Sequence, residues 1–376
     1  MVIFISNFVS PHTIPFSEEL YKRLGNKFLF IESRQMSAER SSLGYDKLRN
    51  KPFVVSYSQF STNRDTYQEF IDCADTVLAS YGSIDTSLLE NRIATNKQTF
   101  LMSERLFKKG ILKLADPKFW QTVLFVNRIK NKNFHLLCMG AYVAKDFARI
   151  GFSKDKMWKF GYTTQPSSRT VLELVAKKST KPIKILWVGR LIWWKQPLIA
   201  LKAIYKLIYD KFDIEFNVVG GGKLEKKVAE YVSKHNFQSR IHYLGLRSNE
   251  EVRQLMEDSH ILLCTSNKLE GWGAVINEGM NAGCVVVANR MMGAALYLIE
   301  DGVSGYLYDG NEEDLYKKLK TILLEDNLSE VAIIGYNTIT RKWCPEICAS
   351  RFISFCKNLN THTPDEFEYG PFSKSL

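Results

Sequence analysis

Short apolar runs of β-prone residues alternate with helix-like segments along this chain, in two successive arrays. In the first half the strand-like runs are Val2–Phe8, Phe28–Glu32, Phe53–Tyr57, Thr76–Ser80, Thr99–Ser103 and Phe134–Met139, with helical patterns between them at Phe16–Leu24 and Pro117–Lys132. In the second half they are Ile183–Val188, Glu215–Val219, Ile241–Leu244, Ile261–Thr265 and Val285–Ala288. The helices expected there are Pro197–Lys211, Leu224–His235, Asn249–Asp258 and Ala274–Ala282. Strands that are apolar throughout, rather than on alternate residues, suit a sheet covered on both faces, and helical crossovers make such a sheet parallel. Two arrays of this kind predict an α/β protein with two Rossmann-like domains.

A polar stretch with prolines at 166 and 182 marks the boundary. The division predicted is residues 1–165 for a first domain, 166–345 for a second, and 346–376 for a last helix and tail. CPEICASRFISFCKNL reads as an amphipathic helix, and the tail Thr361–Leu376 mixes Pro, Gly, Ser and charge, which predicts poor order.

Bulk properties narrow the class. Hydrophobic residues make up 45% and charged residues 24%, as in globular proteins. No apolar run reaches the roughly 18 residues that a membrane-crossing helix needs. The apolar N-terminus lacks a basic flank and is expected to form a buried strand rather than a leader. Seven scattered cysteines without a C-x-x-C pair argue for reduced thiols in the cytoplasm and against zinc. The net charge of +11 is concentrated: residues 101–160 hold 13 Lys or Arg against 4 Asp or Glu. Such a run is either a solvated helix surface or a surface for anionic membrane lipid or a lipid-linked acceptor. Trp120, Phe125, Phe134, Trp158 and Phe160 interleave with these charges, and no nucleic-acid motif accompanies them.

One segment concentrates the chemistry. Glu270 and Glu278 bracket EGWGAVINE, which follows the strand-like HILLCTS. A strand that passes through a glycine loop into a helix offers unpaired N–H groups and a favourable dipole to an anion. Gly271, Trp272, Gly273 and Ala274 would supply those amides, with Glu270 in the loop and Glu278 one to two turns into the helix. Two carboxylates at a phosphate-binding turn suit a ligand bearing both phosphate and hydroxyl groups, as sugar nucleotides do. Gly189-Arg190 closes an earlier strand, and Lys195 follows just before Pro197. Both cations are expected beyond the carboxyl ends of a parallel sheet, where such folds bind ligands. Gly220 and Gly221 follow another strand, and Leu246 follows a third.

The E-x7-E pattern, together with ILWVGRLIWWK and VSGYLYDG, resembles retaining glycosyltransferases of family 4, the glycosyl transferases group 1 enzymes of GT-B fold. The resemblance covers residues about 183–325. SNFVSPHTIPFSEELYKRLG also resembles the opening of a bacterial polysaccharide-type subgroup. It implies two facing Rossmann-like domains, with the last helix crossing back to the first domain and the active site between the domains. It implies transfer of a hexose-type sugar from a nucleotide-diphosphate donor, most simply a UDP-sugar, to a hydroxyl of a lipid-linked or growing surface glycan. By resemblance Arg190 and Lys195 hold the diphosphate, Glu278 the ribose and Glu270 the transferred sugar. Gly220, Gly221 and Leu246 would lie near the nucleotide. The resemblance implies no metal and no cofactor besides the donor. The expected setting is the cytoplasm, at the inner membrane face. In the first domain His12 either orients an acceptor hydroxyl or assists proton transfer, or serves as a structural turn residue. Arg105 either meets a phosphate or forms a surface salt bridge, and Tyr81-Gly82-Ser83 lies in a similar position. Two features depart from the family: Val9-Ser10-Pro11-His12 stands where many members carry a glycine pair, and Met292-Gly293-Ala294-Ala295 replaces a Gly-Gly-acid. A sugar-nucleotide epimerase and a non-catalytic module of a larger synthase are the alternatives.

Overall fold

The computed structural model describes residues 1–42, 44–234, 239–325, 327–361 and 367–375. They fall into two compact units, Met1–Gln165 with Trp343–Leu376, and Pro166–Lys342. The boundary expected at 345 lies past the end of the second unit, because Trp343 and Cys344 already belong to the first.

In the first unit the strands are β1 (Val2–Ser6), β2 (Phe28–Glu32), β3 (Val54–Val55), β4 (Thr76–Ser80), β5 (Thr99–Ser103), β6 (Phe134–Met139) and β7 (Met157–Phe160). They form one sheet in the order β3-β2-β1-β4-β5-β6-β7, with every pairing parallel. Successive side chains of a strand point to opposite faces, so β1 sends Ile3 and Ile5 into one core and Phe4 into the other. The helix Pro117–Ile129 closes the first of these cores through Phe125, Val126 and Ile129. The helices Ile14–Leu24 and Pro345–Asn360 close the second. Phe16, Leu20, Phe352 and Phe355 are buried there. The last helix of the chain is thus part of the first unit.

The second unit holds β8 (Ile183–Val188), β9 (Ile214–Val219), β10 (Ile241–Gly245), β11 (Ile261–Cys264), β12 (Val285–Asn289) and β13 (Tyr306–Tyr308). Their order is β10-β9-β8-β11-β12-β13, again parallel throughout. Helix Pro197–Tyr209 packs Ala200, Leu201, Ile204 and Leu207 into its core, and helices Glu312–Leu324 and Leu328–Lys342 complete the cover.

Several expectations need correction. The run Phe53–Tyr57 pairs only at Val54 and Val55, because Ser56 and Gln59 form a reciprocal capping box that starts a helix at Tyr57. Strands β7 and β13 were not anticipated. The tail is not loose where it is described: Phe372 is fully buried and packs on Phe160, Phe352 and Phe355. Backbone bonds link Lys159 N–H to Ser373 O (2.8 Å) and Phe372 N–H to Lys159 O (2.7 Å), which covers the β7 edge. Residues 362–366 and 376 of that tail lie outside the described residues, as does His235 at the end of an expected helix. Among the described residues no helix is long and apolar enough to cross a membrane, and no group of three or more His, Cys, Asp or Glu side chains is arranged to hold a metal.

Candidate functional site

The order of the second sheet reverses at β8, which pairs with β9 on one side and β11 on the other. At such a switch point the loops leaving the two central strands diverge and open a crevice. Arg190, Lys195 and Glu270 lie on these loops.

After β8 the chain runs through Gly189 and Arg190 into a single turn, Trp193–Lys195. Gln196 adopts left-handed backbone (φ +53°), and Pro197 begins the next helix. After β11, the Thr265 hydroxyl donates to the Lys195 carbonyl (2.6 Å) and accepts from Trp187 Nε1 (2.8 Å). Asn267 N–H donates to the Trp194 carbonyl (2.8 Å), and Glu270 N–H to the Asn267 carbonyl (3.0 Å). This stitching fixes the two loops against each other and brings the Lys195 ammonium into an ion pair with Glu270. The paired Glu270 oxygen, Oε2, is buried and accepts no hydrogen bond of ordinary geometry. Thr265, Asn267 and Trp187 carry this positioning and were missed in the sequence. The only signal was a hydroxyl residue at a strand end.

Helix Val275–Asn281 begins one residue later than expected, with Ala274 as its N-cap. Glu278 therefore lies in the first turn rather than one to two turns in. It is half-buried, and burial pushes its carboxyl above the ordinary range, an effect that Lys195 and Arg253 partly offset. Lys195, Glu270 and Glu278 thus form one electrostatic cluster, and the Cys264 thiol beneath them is pushed up by burial. Gly273 has φ +93°, and a Cβ there would stand 2.5 Å from Met292 Cε. Gly271 is buried. The Trp272 indole is turned into the core and donates to Asn277 Oδ1 (2.8 Å), so its ring offers no binding face.

The glycine run has a packing reason of its own. A Cβ on Gly220 would lie 1.9 Å from the Gly189 carbonyl oxygen, and one on Gly221 would lie 3.1 Å from Leu246 Cγ. Gly220 N–H donates to the Gly245 carbonyl (2.9 Å) and Leu191 N–H to the Gly221 carbonyl (2.9 Å). Gly220 and Gly221 thus draw the β9 loop against the β8 loop, and Leu246 beside them is 77% exposed. Arg190 is exposed and sits 5.8 Å from the Trp194 ring, with no ion pair or hydrogen bond among the described residues. The structure does not join it to the Lys195 cluster.

Residues 172–339 match the model of the family described as Glycosyl transferases group 1. That match falls within the second unit, Pro166–Lys342. An uncharacterized glycosyltransferase of Methanocaldococcus jannaschii is 32% identical over 43% of this chain and 44% of its own length. The amylovoran biosynthesis glycosyltransferase AmsK of Erwinia amylovora is 26% identical over 41% of this chain and 38% of its own length. The matched region thus spans less than half of either relative. The crystal structure of HepE from Anabaena in complex with UDP is similar over 96% of this chain and 99% of that one, with a TM-score of 0.70 at 15% identity. The fold is GT-B. In the second unit, the Lys195 cluster and the glycine turns follow the carboxyl ends of the sheet strands.

The first unit has a separate crevice of about 460 Å³, bordered by His12, Tyr81, Gly82, Ser83 and Arg105. It too lies at a switch point, since β1 pairs with β2 on one side and β4 on the other. The fully buried Glu32 carboxylate accepts from Val9 N–H (3.0 Å) and Arg49 Nε (2.8 Å) and so shapes the loop that carries His12. Thr13 N–H closes the turn onto the Ser10 carbonyl (3.0 Å). The His12 ring faces Tyr162 at 5.0 Å, and burial, with Arg40 nearby, lowers its pKa. His12 is accordingly neutral at pH 7.

Proposed function

We propose that the chain is a retaining glycosyltransferase that moves a hexose-type sugar from a UDP-sugar to a hydroxyl of a lipid-linked or growing surface glycan. The observation that carries this reading is the Lys195–Glu270–Glu278 cluster at the switch point of the unit that matches the glycosyl transferases group 1 model. The UDP bound to HepE, a protein of similar fold, supports the choice of base.

In this reading Lys195 neutralises the diphosphate and Arg190 grips it from the exposed side of the loop. Glu278 accepts hydrogen bonds from the ribose hydroxyls. Glu270 exchanges its Lys195 contact for the hydroxyls of the sugar. The bond from the anomeric carbon to the diphosphate oxygen breaks, and its electron pair stays on the diphosphate. The acceptor oxygen bonds to the same face of that carbon, and its proton passes to the departing phosphate. No metal enters this scheme, so chelation by EDTA leaves the rate unchanged. In the first unit His12 orients the acceptor hydroxyl.

The acceptor is met at the inner face of the cell membrane. Leu112, Trp120 and Leu124 are 74%, 54% and 66% exposed on a segment that also carries Lys109, Lys113 and Lys118. Apolar residues among cations suit the surface of an anionic bilayer.

Incubation with a panel of UDP-sugars, with and without acceptor extract, tests the activity through UDP release. Lys195→Ala is expected to lower turnover by about 10²–10³-fold, the usual loss for a group that stabilises developing charge. Wild-type turnover in that variant would remove Lys195 from the mechanism.

A further inference from the structure

Two arginines of the first unit are largely withdrawn from water, and the fold treats them in opposite ways. Arg92 is fully buried, and all of its nitrogens are used. Nε donates to Thr99 Oγ1 (3.0 Å), Nη1 to the carbonyls of Ile71 and Ala74 (2.8 Å each), and Nη2 to the Gln98 carbonyl (2.5 Å). That guanidinium is a structural clamp between the segments it bonds.

Arg105 follows β5 and its side chain is only 11% exposed. It makes no hydrogen bond among the described residues, and both Nε and Nη1 are buried without an acceptor. Arg105 is ion-paired with the buried Asp146, at 3.7 Å from Nε, which is too far for a hydrogen bond, and that carboxylate also accepts from Phe107 N–H (3.0 Å). The Tyr142 ring lies 4.8 Å from the guanidinium carbon and packs against the charge without offering it an acceptor. A guanidinium whose Nε and Nη1 donors are buried without an acceptor is costly to keep. Proteins rarely retain such a group without a use for it.

Its location points to the use. Arg105 borders the switch-point crevice of the first unit, where a parallel sheet binds its ligands. Three cations face that crevice, Arg40, Arg105 and Lys108, against one acid, Glu104, which is paired with Lys108. Arg40 is also close enough to His12 to oppose its protonation. The remaining lining is mainly hydroxyl groups and aromatic rings, Ser10, Tyr45, Ser103 and Tyr162 among them. Hydroxyls and ring faces suit a sugar, whereas a surplus of positive charge with an unused fork suits an anion.

We propose that the acceptor carries an oxyanion, a phosphate or a uronic carboxylate, and that Arg105 holds it in this crevice while His12 and Tyr162 border the sugar to which it is attached. The inference rests on the acceptor binding in the first unit, and it adds the acceptor's charge. Two oxygens of a carboxylate or a phosphate match the guanidinium fork with two parallel bonds.

The test reads binding without turnover. In the full chain with labelled histidine, the ring signal of His12, assigned through His12→Gln, is followed during titration with inorganic phosphate, glucuronate and glucose. An anion on Arg105 shifts that signal and raises the His12 pKa, because negative charge favours the imidazolium. Arg105→Gln is expected to weaken the response at least about tenfold, the loss of one charged hydrogen bond. Arg105→Lys, which keeps the charge but loses the fork, weakens it by less, and this variant decides the matter if Arg105→Gln does not fold. Lys195→Ala leaves the response intact, because the second unit takes no part in it. A response to phosphate alone or to glucuronate alone assigns the group. Silence to both anions, or a response unchanged in the Arg105 variants, overturns the proposal. A protein that binds phosphate at Arg105 but releases no UDP would overturn the transferase reading alone. One that transfers sugar yet ignores both anions would overturn this inference alone.

Discussion

The two units use one plan, an open parallel sheet with a crevice at the point where strand order reverses, yet they furnish the crevice differently. In the second unit the loops beyond β8 and β11 are bound to each other through Thr265 and Asn267, and the key cation is already held by an acid. Glycines bring the β8 and β9 loops into contact that a single Cβ would prevent. In the first unit the crevice is roomy, its histidine is neutral, and its Arg105, though ion-paired with Asp146, has no hydrogen-bonding partner among the described residues. A site with paired charges and locked loops is preorganised for one fixed ligand. A roomy site with unspent donors leaves its specificity to what enters. This contrast suits the proposed transfer, with a donor held in the second unit and an acceptor taken up in the first.

The largest effect expected separates the units by their cores. Phe352 of the last helix is fully buried against Phe16, Phe100 and Phe372 in the first unit. Phe352→Ala is expected to cost about 3–5 kcal/mol, through lost burial and the cavity left behind. UDP affinity, which the proposed function assigns to the second unit, should be unchanged when measured by calorimetry below the new melting temperature. A parallel loss of UDP affinity would mean that the two sites are not independent.

Gly220→Ala tests the second unit alone. The new methyl would meet a backbone carbonyl, not a yielding side-chain tip, and φ at this position is +136°. A cost of roughly 3 kcal/mol is expected, in the upper range of backbone strain, together with weaker UDP binding. Unaltered UDP affinity would show that the close approach of the β8 and β9 loops does not shape the site.

The sequence revealed the parts governed by local periodicity. Apolar runs and intervening helical patterns were enough for two parallel sheets, and glycine followed by charge at strand ends was enough to find the Lys195 and Glu270 loops. Strand β7 was hidden because MWKF lies within a lysine-rich stretch and owes its burial to the tail that covers it. Phe372 was hidden for the complementary reason: a lone aromatic in a polar tail is buried only by tertiary contact. Trp272 was read as part of a binding loop, but the indole satisfies its N–H on Asn277 inside the core, a choice that spacing does not encode. The unused donors of Arg105 were equally out of reach, because an unmet hydrogen bond is a property of surroundings and not of residue type.

The smallest effect concerns Glu278, and it asks whether the preorganised site is held at the expense of stability. Burial raises its carboxyl above the ordinary value of 4.5 in the folded chain. Between the unfolded and folded values the folded state therefore binds more protons, so stability falls as pH rises through that window. Above the window the strain of an ionised, half-buried acid is fully present. Glu278→Gln keeps the shape and removes the charge, so it should melt higher than the parent at pH 7, and the gain should vanish below pH 4.5, where both side chains are neutral. The same change is expected to weaken UDP binding by about tenfold, since an amide is a poorer acceptor than a carboxylate for ribose hydroxyls. A variant that gains stability at pH 7 but binds UDP as well as the parent would break the link between the acid and the nucleotide. One that gains no stability would mean that Lys195 and Arg253 already compensate the buried charge, and the second unit's site would then be at rest rather than strained.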